Sequence, residues 1–469
     1  MKTNVTVVIL AAGLGTRMKS GRAKVLHQAG GDTLLNHVIR AALHVADPEH
    51  IVAVVGHQAD EVRHSVKFPG VRFALQSEQK GTGHAVACAR DLASQSPGLL
   101  LILNGDGPLL KPATLEAFLA LADSPSLSGA VMSTELPDPT GYGRLLLDSS
   151  GNLAAIVEEK AADPVQRAIR TVNTGQYWFR APIFWNHIDE LQPSHPAREF
   201  YLTDMVEVLR RHGHAVGYFT VADHTELLGI NTRLELSVAD RILRQRKLEQ
   251  LMLSGVTIER PETVTIDVDV EAGPDTLIEP HVSLRGSTRI GIECHIGAGA
   301  VLSDCQIADR VRIFPYVVAE QATIGAASDV GPFARLRKDA VLSEHCHIGN
   351  FVELKNTTMH RGAKASHLAY LGDASIGEAT NIGAGTITCN YDGIRKHRTQ
   401  IGDHAFVGSN STLVAPLTIG AGAYVAAGSV ITENVAEDAL AVGRARQIPD
   451  KPLWAKKRRD QYKKTEPKS

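Results

Sequence analysis

Cysteine is scarce in this chain of 469 residues. The five thiols, Cys88, Cys294, Cys305, Cys346 and Cys389, are scattered, odd in number and never in a CxxC pair. That excludes a disulfide framework and a zinc ribbon, and it predicts a reducing compartment. Net charge is missing as well. Lys and Arg number 49 against 51 Asp and Glu, a formal charge of -2, so no global basic field draws the chain to nucleic acid. No run is long and apolar enough to span a bilayer. The apolar stretch Val5 to Ala12 behind Lys2 is short and runs straight into a glycine-rich turn with Arg17. It reads as a buried strand feeding a loop rather than a signal peptide. These absences predict a cytoplasmic protein with no membrane insertion and no nucleic-acid partner.

What is present points to two or three domains with an ordinary core, given the length and a hydrophobic fraction of 43%. Up to residue 230, short apolar runs alternate with amphipathic stretches, the signature of an α/β fold with a mostly parallel sheet. Val5 to Leu10, Ile51 to Val55 and Leu99 to Leu103 read as strands, the last ending in Asn104-Gly105-Asp106. Ligands of open α/β sheets gather at the carboxyl ends of strands, where Gly13-Leu14-Gly15 and Asp106 would both lie. Residues 231–254 carry Leu234, Val238, Ile242, Leu248 and Met252 at mostly helical spacing. They read as a long helix that either joins two domains or packs on the first.

Residues 255–450 change character. Ile290-Gly291, Ile324-Gly325, Ile376-Gly377 and Ile401-Gly402 are each followed six residues later by another aliphatic-glycine pair. This is the hexapeptide period of a β-helix, with the aliphatic residue inside a narrow prism and glycine expected to turn the corner. The period breaks twice. Ile348 to Ile376 exceeds four repeats by four residues, and Ile382 to Ile401 exceeds three by one. The second stretch contains Cys389-Asn390-Tyr391-Asp392-Gly393, which reads as an ejected loop of the kind that binds ligands. His345 and His347 flank Cys346 at strand spacing and read as coil residues rather than metal ligands. Residues 451–469 are a basic tail, expected to be solvated rather than bound to nucleic acid or anionic membrane.

Leu10-Ala11-Ala12-Gly13-Leu14-Gly15-Thr16-Arg17-Met18 should leave a strand and open a helix, so that backbone N–H groups and the helix dipole face a phosphate. Arg17 adds a fixed positive fork. With Lys24-Val25-Leu26 downstream, this stretch resembles the signature of the sugar-1-phosphate nucleotidyltransferases. More narrowly, residues 1 to about 450 resemble the bacterial family of bifunctional N-acetylglucosamine-1-phosphate uridyltransferase/glucosamine-1-phosphate acetyltransferases.

The resemblance implies a Rossmann-like α/β nucleotidyltransferase followed by a left-handed parallel β-helix of hexapeptide repeats. It implies that Leu10, Ala11, Ala12, Gly13, Gln76, Gly81 and Thr82 contact the nucleotide of UTP, and that Arg17 and Lys24 stabilise its phosphates. Asp106 and Asn231 would hold Mg²⁺, oxygen ligands suited to a hard cation. Gly143, Glu158 and Asn173, with Asn231, would hold the amino sugar. Taken singly, Asp106 would be an ordinary strand-end turn residue and Asn231 a helix cap. Two positions depart from the pattern: Ala23, where relatives often carry proline, and Asn104, where they often carry an aromatic residue.

For the second half the resemblance implies that His367, in Lys364 to Asp373, is a general base, a role that imidazole side chains commonly fill. Glu353 and Asn390 would orient it. Arg337, Lys355, Tyr370 and Asn381 would bind glucosamine 1-phosphate, the cations matching its phosphate. Ala384, Asn390, Tyr391, Ser409, Ala427 and Arg444 would contact acetyl-CoA, the small residues leaving room for its pantetheine arm. Ser366 stands where glycine is expected before the histidine. The family's β-helices form trimers with active sites between prisms, so a homotrimer acting on small molecules is expected. Two other readings compete: a nucleotidyltransferase whose β-helix is only structural, and a non-catalytic regulatory subunit. Arg17, Lys24, Asp106 and Asn231, all present, oppose the second, and the Lys364 to Tyr370 segment opposes the first.

Overall fold

The computed structural model describes residues 4–465 apart from 96, 150, 194–198 and 448. The chain forms two compact units, Met1–Gln250 with Ile266–Asp269, and Leu251–Thr265 with Val270–Ser469.

The first unit is built on a sheet of nine strands: β1 (Val5–Ala11), β2 (Ile51–Val55), β3 (Arg72–Leu75), β4 (Leu99–Asn104), β5 (Leu127–Glu135), β6 (Gly143–Leu147), β7 (Leu153–Val157), β8 (Thr171–Arg180) and β9 (Ala215–Thr220). The order is β9-β5-β8-β4-β1-β2-β3, with the hairpin β6-β7 attached to β8. Along this path every strand but β8 runs the same way. β1 is apolar at almost every position because both its faces are covered. Val5, Val7, Ile9 and Ala11 enter one core layer with Leu101, Leu103 and Trp178. Val8 and Ala12 enter the other with Val52, Val54, Leu100 and Ile102. The parallel register from Val5↔Leu99 to Leu10↔Asn104 brings the ends of β1 and β4 out side by side.

The expected helix after β1 is not there. Thr16–Met18 form one 3₁₀ turn, stopped at both ends by left-handed residues, Gly15 (φ 63°) and Lys19 (φ 48°). The loop therefore offers backbone N–H groups but no helix dipole. The long helix spans Arg233–Leu253. Its residues Ala239 and Leu243 are buried against Leu34, Leu109 and Ile230 of the first unit, and the Arg246 guanidinium donates to the Leu109 carbonyl. The helix packs on the first unit, and its last residues run on into the second, whose range begins at Leu251.

The second unit is a three-sided parallel β-helix whose faces contain 11, 10 and 9 short strands. One inward column reads Ile278, Ile296, Ile313, Val330, Ile348, Ala365, Ile382, Val407 and Val425, each register partner of the next. All of these are buried. A coil usually takes 17 or 18 residues, which corrects the first irregularity. Ile348, Leu354, Met359, Ala365, Leu371 and Ile376 are consecutive inward positions. Two of the steps between them are one residue short, so the apparent excess is a pair of tightened corners and no insertion. The second irregularity is an insertion: after Ile387–Cys389 the chain leaves the coil at Asn390 and returns at Thr399–Ile401.

The role of the repeat glycines is also corrected. The left-handed corner residue comes three positions after the aliphatic one, as at Glu293, Ala327 and Ala379. The glycine directly after the aliphatic residue is needed for clearance instead. A Cβ on Gly377 would lie 2.3 Å from the backbone of Gly402 in the next coil, and one on Gly408 would lie 2.4 Å from the nitrogen of Ala427. Cys294, Cys305 and Cys346 are buried in this unit, and burial pushes the Cys346 thiol up to about 11, so it is inert. Trp454–Thr465, in the segment expected to be a plain tail, is a helix, exposed over residues 454–461. Ala, Lys, Arg and Gln are good helix formers, and the Arg458 guanidinium sits 5.5 Å from the centre of the Trp454 ring. Among the described residues no helix is long and apolar enough to cross a membrane.

Candidate active sites

A cavity of about 420 Å³ opens at the carboxyl ends of β1 and β4. Leu10, Ala11, Ala12, Gly13, Arg17, Lys24, Gln76, Gly81, Thr82, Asp106 and Asn231 all line it. A larger cavity of about 690 Å³ lies at the opposite edge of the sheet around Val5, Leu99 and Arg180 and contains no residue of the phosphate loop.

Charge in the smaller cavity is organised by Lys24. Its ammonium contacts the Asp106 carboxylate and lies 3.0 Å from the Asn231 side-chain oxygen. The Arg17 guanidinium donates to the same oxygen at 2.8 Å. Asn231 is held from behind. Thr232 and Glu235 form a reciprocal cap on the long helix: the Thr232 hydroxyl accepts from the Glu235 N–H, and the Glu235 carboxylate accepts from the N–H groups of Asn231 and Thr232. Thr232 is thus the cap, and the Asn231 side chain is left facing the cavity. One carboxylate and one amide oxygen converge on a single cationic centre, an ammonium. This hard, all-oxygen donor pair fits a divalent cation that keeps phosphate and water ligands.

Local backbone explains the placement. Gly15 has φ 63°, and a Cβ there would sit 2.6 Å from Cβ of Lys24. Gly15→Ala should cost about 1–2 kcal/mol for the left-handed backbone alone and push Lys24 aside. The expected result is a lower unfolding midpoint, read by denaturant titration. Gly81 (φ 100°) passes against Phe200, whose carbonyl a Cβ would meet at 2.5 Å. The Thr82 hydroxyl accepts from the Leu202 N–H at 3.0 Å, so its side chain anchors that segment while its backbone lines the cavity. Gln76 donates to the Gly81 carbonyl at 3.2 Å. At Ala23, where relatives often carry proline, the N–H donates to the Gln58 side chain at 2.6 Å, a bond proline lacks.

Gly143 and Asn173 are register neighbours in β6 and β8, and the Glu158 carboxylate would lie 3.5 Å from a Cβ on Gly143. Burial, above all, raises the Glu158 carboxyl, with the nearby Asp204 charge adding to it. Asn173 donates to the Tyr177 hydroxyl at 2.8 Å. These three do not line the 420 Å³ cavity. Asn104 does, and it links the groups by donating to the Thr174 carbonyl at 3.2 Å. The sequence reading missed Gln79, Glu199 and Tyr201, which also line the cavity, and Tyr142. The Tyr142 hydroxyl is raised by burial first and then by the charges of Glu235 and Asp106. The one usable signal was Tyr142 between two glycines.

On the β-helix, His367 ends the strand Lys364–His367, and its Nδ1 lies 2.7 Å from the side-chain oxygen of Asn350, its register partner one coil earlier. An amide oxygen only accepts, so Nδ1 carries the proton and Nε2 keeps a lone pair. This corrects the expected orienting groups. Glu353 instead accepts from Arg337 at 2.9 Å, and Asn390 donates to Asp373. Asn350 was missed, although Ile348-Gly349-Asn350 repeats the phase of Ala365-Ser366-His367. The close approach falls one coil before Ser366 instead: a Cβ on its register neighbour Gly349 would lie 1.8 Å from the Ser366 carbonyl oxygen.

Glu353 and Tyr370 are register partners, as are Lys355 and Gly372, so Arg337, Lys355 and Tyr370 share one face. Asp373 sits among them, 3.7 Å from the Lys355 ammonium. Burial pushes its carboxyl up, but hydrogen bonds from Asn356 and Asn390 and the Lys355 charge leave it below the usual range. Lys396, also missed, reaches Lys355 from the inserted loop, and that contact lowers its own titration. Asp392 fixes the loop turn and is held at about 2 by hydrogen bonds from the Arg395 N–H, His397 and the Ile394 N–H. Tyr391 is exposed on this loop. Asn381 stands on the adjoining face beside Lys364 and Phe406, apart from the Arg337 group. Ala384, Ser409 and Ala427 continue the edge that starts at Asn350 and His367, each two residues past the inward column. Arg444 reaches that edge by donating to the Ala427 carbonyl.

Comparison with known proteins agrees with this architecture. Residues 7–172 match the MobA-like NTP transferase domain family. Residues 261–352 match the GMPPB C-terminal domain, and residues 398–433 match the bacterial transferase hexapeptide of six repeats, the left-handed β-helix class. The chain is 53% identical to the bifunctional protein GlmU of Solibacter usitatus, over 98% of each. It is 46% identical to that of Koribacter versatilis, over 99% of this chain and 100% of the relative. It is 49% identical to that of an Anaeromyxobacter species, over 97% and 93%. With both halves matched end to end at these identities, the chain belongs to the bifunctional GlmU family.

Proposed function

We propose that the two sites act in sequence on one sugar: acetyl transfer from acetyl-CoA to glucosamine 1-phosphate, then uridyl transfer from UTP to N-acetylglucosamine 1-phosphate. The chain is a bifunctional transferase, and the assignment of roles to its individual residues is our own reading of the geometry. The observation that carries the first site is the convergence of Arg17, Lys24, Asp106 and Asn231 at the end of β1.

In uridyl transfer a phosphate oxygen of the sugar attacks the α-phosphorus of UTP. The new P–O bond forms as the bond to pyrophosphate breaks. Positioning and charge neutralisation suffice, with no protein nucleophile. Arg17 and Lys24 bind the phosphates, and the loop Leu10 to Gly13, with Gln76 and Gly81, binds the nucleoside. Gly143, Glu158, Asn173 and Asn231 bind the sugar. Asp106 and Asn231 would hold Mg²⁺, which when bound supplies charge neutralisation on the phosphates.

In acetyl transfer the substrate amine attacks the thioester carbonyl. The C–N bond forms, the C–S bond breaks, and the amine proton passes to Nε2 of His367. Arg337 and Lys355, with Lys396, bind the sugar phosphate, and Tyr370 borders them. Ala384, Asn390, Tyr391, Ser409, Ala427 and Arg444 receive acetyl-CoA along the prism edge. Asn381 lies on a different face from Arg337, which supports a site completed by a second prism and hence a homotrimer. The exposed corner stack Tyr316, Phe333 and Phe351, with ring centres 5.3 and 5.4 Å apart, supports the same assembly. Light scattering should give three times the chain mass. The unpaired thiols support a cytoplasmic setting.

Metal removal separates the halves. A chelator should abolish pyrophosphate release from UTP and N-acetylglucosamine 1-phosphate, Mg²⁺ should restore it, and CoA release from acetyl-CoA and glucosamine 1-phosphate should be unchanged. Equal loss of both activities would contradict the assignment of the cation to the first site alone.

A further inference from the structure

At the edge of the sheet opposite the nucleotide cavity, two turns carry a set of side chains that neither activity uses. Arg180, the last residue of β8, pairs with Leu99, the first of β4. The helix Ala181–His187 and the turn Ile188–Glu190 follow it. His212 and His214 lie between the helix Met205–Arg211 and the start of β9. The Glu190 carboxylate bridges two imidazoles, with Oε1 2.7 Å from Nδ1 of His187 and Oε2 2.9 Å from Nε2 of His212. The two rings stack with centres 4.2 Å apart, and the His214 ring centre is 5.7 Å from that of His187. One ligand atom each from His187, Glu190 and His212 falls within 4.8 Å of the others, the one such group among the described residues.

We infer that His187, Glu190 and His212 form a binding site for a zinc-class divalent cation, distinct from the Mg²⁺ site. The donor set decides the metal class. Two imidazole nitrogens and a carboxylate suit Zn²⁺ and its neighbours, whereas Mg²⁺ takes oxygen ligands. Three protein ligands leave a fourth position for water or for His214. The sequence spacing, His187-x-x-Glu190 and His212-x-His214, puts the donors on two short turns whose helices, Ala181–His187 and Met205–Arg211, share a buried cluster that includes Phe184, Ile188, Met205 and Leu209. A bound ion would staple the turn after β8 to the entry of β9. The nitrogens that would ligate are the ones now hydrogen-bonded to Glu190, so the ion replaces protons already shared among the three groups.

The test uses the full-length, untagged protein with Mg²⁺ in excess. Calorimetric titration with Zn²⁺ should show one site per chain, and Zn²⁺ should raise the melting temperature. Co²⁺ in its place should give the visible absorption of a four-coordinate nitrogen–oxygen site. Altering groups around a metal's ligands alone costs about 10–100-fold in affinity, so His212→Ala and Glu190→Gln should each weaken Zn²⁺ binding by at least about tenfold while uridyl transfer persists. Absence of Zn²⁺ binding, or binding unchanged in both variants, would overturn the inference. The Co²⁺ spectrum of the unaltered protein decides the matter if a variant fails to fold.

Discussion

His367→Ala should lower acetyl transfer by about 10²–10⁴-fold, the usual contribution of a general base, and leave uridyl transfer at its original rate. The amine of the substrate must lose a proton as it attacks, and Nε2 of His367 faces solvent with its lone pair free because Nδ1 is committed to Asn350. The variant should fold, since His367 is exposed and outside the inward column of the prism. Asn350→Ala should fall short of that loss, because the imidazole remains and only its orientation is released. Its signature is a lowered kcat with KM for glucosamine 1-phosphate little changed, as Asn350 touches the base and not the phosphate cations. A His367→Ala protein that acetylates at the original rate would remove the histidine from the mechanism.

Asp106→Ala should reduce uridyl transfer by at least about 10²–10³-fold, the scale seen when one preorganised electrostatic group is deleted, with acetyl transfer unaffected. Asp106 contributes the one full negative charge among the paired groups Arg17, Lys24, Asp106 and Asn231. Without it the cation loses its charged ligand and Lys24 loses its partner. Asp106→Asn keeps the shape and one oxygen but not the charge, so it should recover little activity. The alanine variant should remain folded, because Asp106 is outside the buried core.

The legible parts of this chain are those with simple periodicity or a local motif. The hexapeptide column is a steric requirement repeated at every coil, so Ile290, Ile324 and Ile376 announce themselves. The loop Leu10 to Met18 shows its function because small residues are needed wherever backbone must face phosphate. What stays hidden depends on contacts distant in sequence. The partner of His367 lies 17 residues away and becomes visible only once the coil length is known. The one-residue shortening of two corners mimics an insertion, because a period counted along a single line cannot distinguish faces. Tyr142, Glu199 and Lys396 sit on loops whose composition signals a turn and nothing more. The motif predicts a helix after β1, yet left-handed residues at both ends of Thr16–Met18 prevent it.

Two independent chemistries are assigned to two units of one chain. The most direct measurement assays both products, CoA and pyrophosphate, on the purified His367→Ala and Asp106→Ala proteins after circular dichroism has shown each to be folded. The expected result is reciprocal loss: pyrophosphate without CoA in the first, and CoA without pyrophosphate in the second. Loss of both products in either folded variant would contradict it.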